Sequence, residues 1–188
     1  MATVSDLSKG NYIRYNGEVV QVEELQHRTP GNLRAFYQVK MRSVRTGKIV
    51  ENRFRPGDSV DQLRVETKEY QYLYEDGESL VCMDNVTFEQ VYLDKVLLGE
   101  SVKYIKEGVT VLIAFENGTT PITAEPPAHV VVNVTYTEPG MQGDTATRTL
   151  KAATIDTGAE IRVPLFVNTG DNIKIKTDTG EYVERVKE

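Results

Sequence analysis

The chain has 188 residues, 39% hydrophobic and 27% charged, with 22 Lys or Arg against 28 Asp or Glu for a formal net charge of −6. That is enough apolar material for packed cores, which argues against disorder, and the length allows one large domain or two to three small ones. No apolar run approaches the roughly 20 residues that span a bilayer, and the polar opening MATVSDLSKGNYIRYNG lacks the apolar stretch of a secretion signal, so neither a membrane partner nor export is expected.

Nearly every segment reads as β. Residues 11–15 and 18–26 are strand-like and meet at Asn16-Gly17, the strongest short hairpin signal, because both turn positions favour positive φ. Residues 35–44 alternate, with Ala35, Tyr37, Val39 and Met41 on one face and Phe36, Gln38, Lys40 and Arg42 on the other. Thr46-Gly47 leads into a strand over 48–54, and Arg55-Pro56-Gly57-Asp58 closes a small barrel-like module, residues 1–63.

A second module is expected over 64–127. It has a long strand at 63–74, a turn at Asp76-Gly77, and strands at 79–83 and 88–93. Residues 95–106 are the only stretch with helical character, with Val96, Leu97, Val102 and Ile105 on one face and Gly99 weakening it. A hairpin over 109–124 turns at Asn117-Gly118. Strands with one helix before the last hairpin follow the order of a five-stranded OB barrel. Glu125-Pro126-Pro127 reads as a linker or hinge. Strands over 129–137, 148–157, 160–167, 172–176 and 181–186 then give a third module, 128–188, OB-sized and without an evident helix. The expectation is an all-β chain of three serial small barrels. No sequence repeat links them.

Cys82 is the only cysteine, which excludes an internal disulfide and fits a reducing, cytoplasmic setting. In Leu80-Val81-Cys82-Met83 it reads as a buried structural thiol. His27 and His129 stand about 100 residues apart with no metal-ligand spacing around them. No phosphate-binding loop, nucleophile elbow or HExxH occurs. The chain is therefore read as a binding protein, neither an enzyme nor dependent on a cofactor.

Charge is segregated. Residues 1–63 carry 10 basic and 7 acidic groups, 64–128 carry 5 and 12, and 129–188 carry 7 and 9. Residues 27–55 alone hold eight basic groups and one acid, Glu51, for a net +7. A tight turn, Thr29-Pro30-Gly31-Asn32, sits at the front of this block. A basic hairpin on an acidic chain points to an anion such as RNA phosphate. Arg28, Arg34, Arg42 and Arg45 are candidate phosphate contacts. Phe36 and Tyr37 have two readings, as rings that stack on a base or ribose or as rings packed on the barrel, and packing is the commoner use. Leu33 at the tip is unusual unless a partner covers it.

These residues carry a family resemblance over the full length. HRTPGNLRAFYQVKMRSVRTGKIVENRFR resembles the N-terminal hairpin of bacterial elongation factor P, with its His-x-x-Pro-Gly-x-x-x-Ala-Phe pattern. Lys151-x-Ala153-x4-Gly158-x2-Ile161-x-Val163-Pro164-x2-Val167-x2-Gly170 matches the C-terminal signature of that family in each fixed position. Tyr136-Thr137-Glu138-Pro139-Gly140, Gly143-Asp144-Thr145 and Thr179-Gly180-Glu181-Tyr182 resemble its third domain.

The resemblance implies an SH3/KOW-like domain followed by two OB-folds in an L-shaped, tRNA-like arrangement. It implies a monomeric, cytoplasmic factor that binds the ribosome between the peptidyl and exit sites, touching ribosomal RNA and peptidyl-tRNA. The hairpin tip, Pro30, Gly31, Asn32, Leu33 and Arg34, then reaches towards the CCA end and relieves stalling at consecutive prolines. In the third domain, Asp144, Thr145, Tyr182 and Arg185 fall where the family meets tRNA or ribosomal backbone, although Tyr182 also reads as a packed strand residue. One departure stands out. Many members carry a modified lysine after Pro-Gly, where this chain has Asn32, which lacks the amine and is expected to stay unmodified. The alternative, from residue physics alone, is a generic OB-type single-stranded RNA binder or RNA chaperone. The acidic OB-like modules disfavour it.

Overall fold

The computed structural model describes residues 1–140 and 149–187. Sixteen strands are present among them: β1 (Ala2–Thr3), β2 (Tyr12–Tyr15), β3 (Glu18–Arg28), β4 (Phe36–Ser43), β5 (Ile49–Phe54), β6 (Ser59–Leu63), β7 (Val65–Asp76), β8 (Ser79–Asp84), β9 (Gln90–Asp94), β10 (Thr110–Glu116), β11 (Thr120–Glu125), β12 (His129–Thr137), β13 (Leu150–Ile155), β14 (Glu160–Pro164), β15 (Asn172–Lys176) and β16 (Tyr182–Val186). Two short 3-10 segments, Val4–Asp6 and Lys95–Lys103, are the only helical turns among the described residues. The chain divides into two compact units, Met1–Lys68 with Ile113–Thr123, and Glu69–Leu112 with Ala124–Glu188.

The first sheet has the order β1-β6-β2-β3-β4-β5. Asn16 (φ 50°) and Gly17 (φ 81°) both lie in the left-handed region, as a two-residue turn between β2 and β3 requires. Val4, Leu7, Ile13, Val20, Val22, Val39, Met41 and Val60 form the core of this sheet, with Tyr15, Leu25, Tyr37 and Phe54 packed on it. Each fully buried aliphatic side chain contributes about 1.5–3 kcal/mol. The predicted alternation of β4 holds, since Val39 and Met41 are fully buried while Arg42 is exposed.

The second sheet runs β11-β10-β7-β8-β9 and the third β14-β13-β12-β15-β16. Numbered within each module, both follow the order 5-4-1-2-3. The two modules therefore share one strand plan that their sequences do not display. They differ between strands three and four, where the second carries the 3-10 segment Lys95–Lys103 and the third carries none. That segment differs from the expected helix. It breaks at Gly99 (φ 57°), its buried side chain is Leu98 and Val96 is exposed, whereas Ile105, just beyond it, is buried as expected. Strand β9 also starts at Gln90, later than the expected residue 88, because Phe88 occupies a left-handed turn position (φ 61°).

Within the second unit the 3-10 segment is tied to the third sheet. Tyr104 lies against Gly180, the Thr157 hydroxyl donates to the Lys103 carbonyl (2.6 Å), and Lys106 pairs with Asp156 (2.7 Å). The Pro-Pro segment is no free hinge where it enters the third module. The carbonyl of Pro127 accepts from the hydroxyl of Thr177, a buried residue, and the Ala128 carbonyl accepts from the Thr177 N–H (3.0 Å). The C-terminal signature is mostly architecture. Ala153, Ile161, Val163 and Val167 belong to one buried cluster, and Gly158 (φ 87°) and Gly170 (φ 92°) turn the chain.

Candidate nucleic-acid interface

Strands β3 and β4 build the hairpin, paired from Val20↔Ser43 to Arg28↔Phe36. Its tip closes one residue later than the sequence suggests, where the Leu33 N–H donates to the Pro30 carbonyl (3.1 Å). Neither Gly31 nor Asn32 has positive φ, which fits a turn of the type I kind. Gly31, Asn32, Leu33 and Arg34 are all exposed, Leu33 at 74%, and Pro30 is half-buried.

The cations of the block are not equivalent. Arg42 pairs with Glu23 (2.5 Å) and donates to the Gly47 carbonyl (3.0 Å). Arg45 pairs with Glu18 (2.9 Å), and that carboxyl, bonded by Arg45 and by the Ser43 hydroxyl, is held below the usual carboxylate range. Arg28 lies along its own strand on Gln26 (2.8 Å). Arg34 and Arg55 have no side-chain partner among the described residues, and Arg53 sits over the Phe36 ring at 5.1 Å. Arg34, Phe36, Arg53, Phe54, Arg55 and Pro56 line an open cleft of about 690 Å³ beside the tip.

The two aromatic readings separate here. Tyr37 packs on the core and stacks with His27 (ring centroids 4.6 Å), whereas Phe36 lines the arginine cleft. Arg53 and Arg55 belong to the basic block but are not among the contacts expected from the sequence. Their alternate spacing on and just after β5 was the available signal, because period two puts both on one face.

A smaller cluster lies on the third module. Tyr182 packs partly on the core, with its ring edge to Phe166 (6.1 Å), and the Arg185 guanidinium lies over Phe166 at 5.8 Å. Arg185 also faces Asp171 (3.7 Å). Phe166, 58% exposed, completes a group that sequence reading reached only through Tyr182 and Arg185. Asp144 and Thr145 lie outside the described residues. Cys82 is fully buried and its thiol is pushed up to about 11 by desolvation, as a structural thiol would be. No helix among the described residues is long and apolar enough to cross a membrane.

Three family descriptions cover the chain in series: "Elongation factor P (EF-P) KOW-like domain" over residues 3–60, "Elongation factor P (EF-P) OB domain" over 65–123, and "Elongation factor P, C-terminal" over 130–185. Among curated relatives, the elongation factor P of Chloroherpeton thalassium is 48% identical over 187 residues, covering 100% of both chains. That of Flavobacterium psychrophilum is 44% identical over 188 residues, again covering 100% of both. That of Chloroflexus aurantiacus is 46% identical over 185 residues, covering 98% of each. Among solved structures, "Eukaryotic translation initiation factor 5A from Methanococcus jannaschii" aligns at 20% identity and a TM-score of 0.48, covering 66% of this chain and 90% of that one. The class so defined is a translation elongation factor built from a KOW-like module followed by OB architecture. Within that class, the chain belongs to the elongation factor P family.

Proposed function

We propose that this chain binds the ribosome between the peptidyl and exit sites, beside peptidyl-tRNA, and stimulates peptide-bond formation where consecutive prolines stall it. The observation that carries this reading is the hairpin. Its tip fronts the block 27–55, which carries seven net positive charges on a chain of net −6, and holds an exposed Leu33 and an unpaired Arg34. Opposite charge draws the hairpin to RNA, while the acidic remainder avoids indiscriminate sticking. Its task is positional. Stiff proline-containing reactants sit badly, and bracing the CCA end of the tRNA restores a reactive geometry without acid–base chemistry from the factor.

Arg34, and Arg28 once released from Gln26, are the leading phosphate contacts. Arg42 and Arg45 would first have to leave Glu23 and Glu18. Tyr182 and Arg185, with Phe166, form a second contact with tRNA or ribosomal RNA, joined by Asp144 and Thr145. Three modules, 1–63, 64–127 and 128–188, carry these surfaces in a monomeric, cytoplasmic factor. Asn32 works unmodified, since it offers no amine for extension. Intact mass spectrometry of the native protein tests this, and added mass within residues 31–34 refutes it.

The deciding experiment is reconstituted translation of a message with consecutive proline codons. The chain raises full-length yield, and Arg28→Ala with Arg34→Ala lowers that gain without moving the thermal midpoint. No gain, together with tight binding of short RNA, returns the chain to a generic single-stranded RNA binder. A large stability loss in the double variant shows that the arginines are structural.

A further inference from the structure

The second sheet carries the reverse of the hairpin's charge. From residue 69 to residue 94 the chain holds seven acids and no Lys, Arg or His. These residues make most of β7 and all of β8 and β9. Two cross-strand rows lie side by side there. Tyr74, Val81 and Tyr92 are partners in one, and Asp76, Ser79 and Asp94 in the next. Each member of the second row is two residues from its neighbour in the first, so period two puts both rows on one face. Val81 is fully buried, while Tyr74 and Tyr92 on either side are 45% and 62% exposed. Asp76, and Glu78 in the turn after it, are exposed and have no side-chain partner among the described residues. Asp94 accepts from the Val96 N–H (3.0 Å), and Lys95, the first cation beyond the stretch, is already paired with Glu75.

OB barrels take oligonucleotides on the face of strands two and three, stacking bases on aromatic rings along a basic groove. In this module those strands are β8 and β9. The rings are present but the charge is inverted, so phosphate is repelled. What fits is a cation with a flat or apolar body. A guanidinium can lie on a tyrosine ring and pair with the carboxylate beside it, and a lysine can do so with its stem on the ring. Carboxylates spread along three strands suit several cations on one extended chain better than a single small ion. A second copy is a poorer occupant, because Arg42 and Arg45 of its basic block are held by Glu23 and Glu18. We propose that the Tyr74–Val81–Tyr92 face docks an extended, arginine- or lysine-rich segment of a partner protein. This surface is independent of the hairpin, and its partner can be found whether or not the hairpin meets tRNA.

The probe is a short fluorescent peptide of alternating arginine and glycine, titrated with the full chain and read by anisotropy. Tyr92→Ala is expected to weaken binding by about 3- to 10-fold, the scale of a cation on an aromatic face. Asp76→Asn with Glu78→Gln should weaken it at least as much, without touching the packed residues or the thermal midpoint. Glu125→Gln with Asp178→Asn removes the same two charges elsewhere and should leave binding unchanged. Equal weakening by both charge pairs reduces the effect to net charge and overturns the proposal. Where Tyr92→Ala lowers the midpoint, the Asp76 and Glu78 pair alone decides. Tighter binding of single-stranded RNA than of the peptide, lost in Tyr92→Ala, makes RNA the occupant and overturns it. Self-association in analytical ultracentrifugation, abolished by Asp76→Asn with Glu78→Gln, makes a second copy the occupant and overturns it too.

Discussion

Phe88 combines two costs at one position: a left-handed backbone (φ 61°) and a ring that is 69% exposed. The loop imposes both. The Asp84 side chain accepts from the Val86 N–H (2.8 Å) and the Thr87 N–H (3.3 Å), and the Asp84 carbonyl accepts from the Phe88 N–H (2.9 Å). A loop closed in this way needs positive φ at its last residue. Asn85, the left-handed former in the segment, sits three residues too early, so the sequence suggests a strand starting at 88. Phe88→Gly relieves the strain at the expense of some chain entropy, for a net gain of about 0.5–1 kcal/mol. Calorimetry should show a higher unfolding midpoint, and a lower one would mean that the ring packs usefully. The arginines teach a related lesson. Arg42 and Arg45 look as free as Arg34 in the sequence, since only the register reveals Glu23 and Glu18 beside them.

At the scale of elements, the strands were largely legible and the helical segment was not. Alternation with Asn-Gly, Asp-Gly and Thr-Gly turns marks a strand directly, and β12 and β15 fall where residues 129–137 and 172–176 predicted. Between Lys95 and Lys103 a period of three replaces 3.6 and Gly99 breaks the run, so Leu98 is buried in place of Val96, while Ile105, just beyond the segment, is buried as expected. What this segment holds was invisible in the sequence, because its partners lie 50 or more residues away. A Cβ on Gly180 (φ 74°) would come within 2.6 Å of the Tyr104 ring. Gly180→Ala therefore suffers both a clash and a backbone penalty, about 1–3 kcal/mol together. Adding Tyr104→Ala removes the clash alone, so thermal denaturation of the double variant should show less loss than the sum of the single variants. Strict additivity would mean that the ring gives way freely.

Across the whole molecule, charge was the most legible property. Composition alone separates a basic block of +7 from a remainder of −13. Which charges stay available was not legible, and that decides ionic strength dependence. Affinity for ribosomes should fall as salt rises, and the slope should shrink by about 1 for each phosphate contact removed. Arg34→Ala with Arg55→Ala should flatten the slope measurably in binding titrations at several salt concentrations. Arg42→Ala should change it less, because Glu23 already neutralises Arg42. Equal flattening by all three replacements would show that the ion pairs dissolve on binding.

The buried positions of the C-terminal signature have a consequence for how such chains diverge. Ala153, Ile161, Val163 and Val167 line a core, and Gly158 and Gly170 shape turns, so what the motif certifies is a foldable last module. The tip of the hairpin, exposed from Gly31 to Arg34, belongs to a different module. Substitution at these exposed positions removes no member of a buried cluster, and a graft of residues 27–55 between relatives should fold without any change after residue 128. A side chain such as Asn32 can thus be exchanged for a lysine, or the reverse, as an independent unit of inheritance.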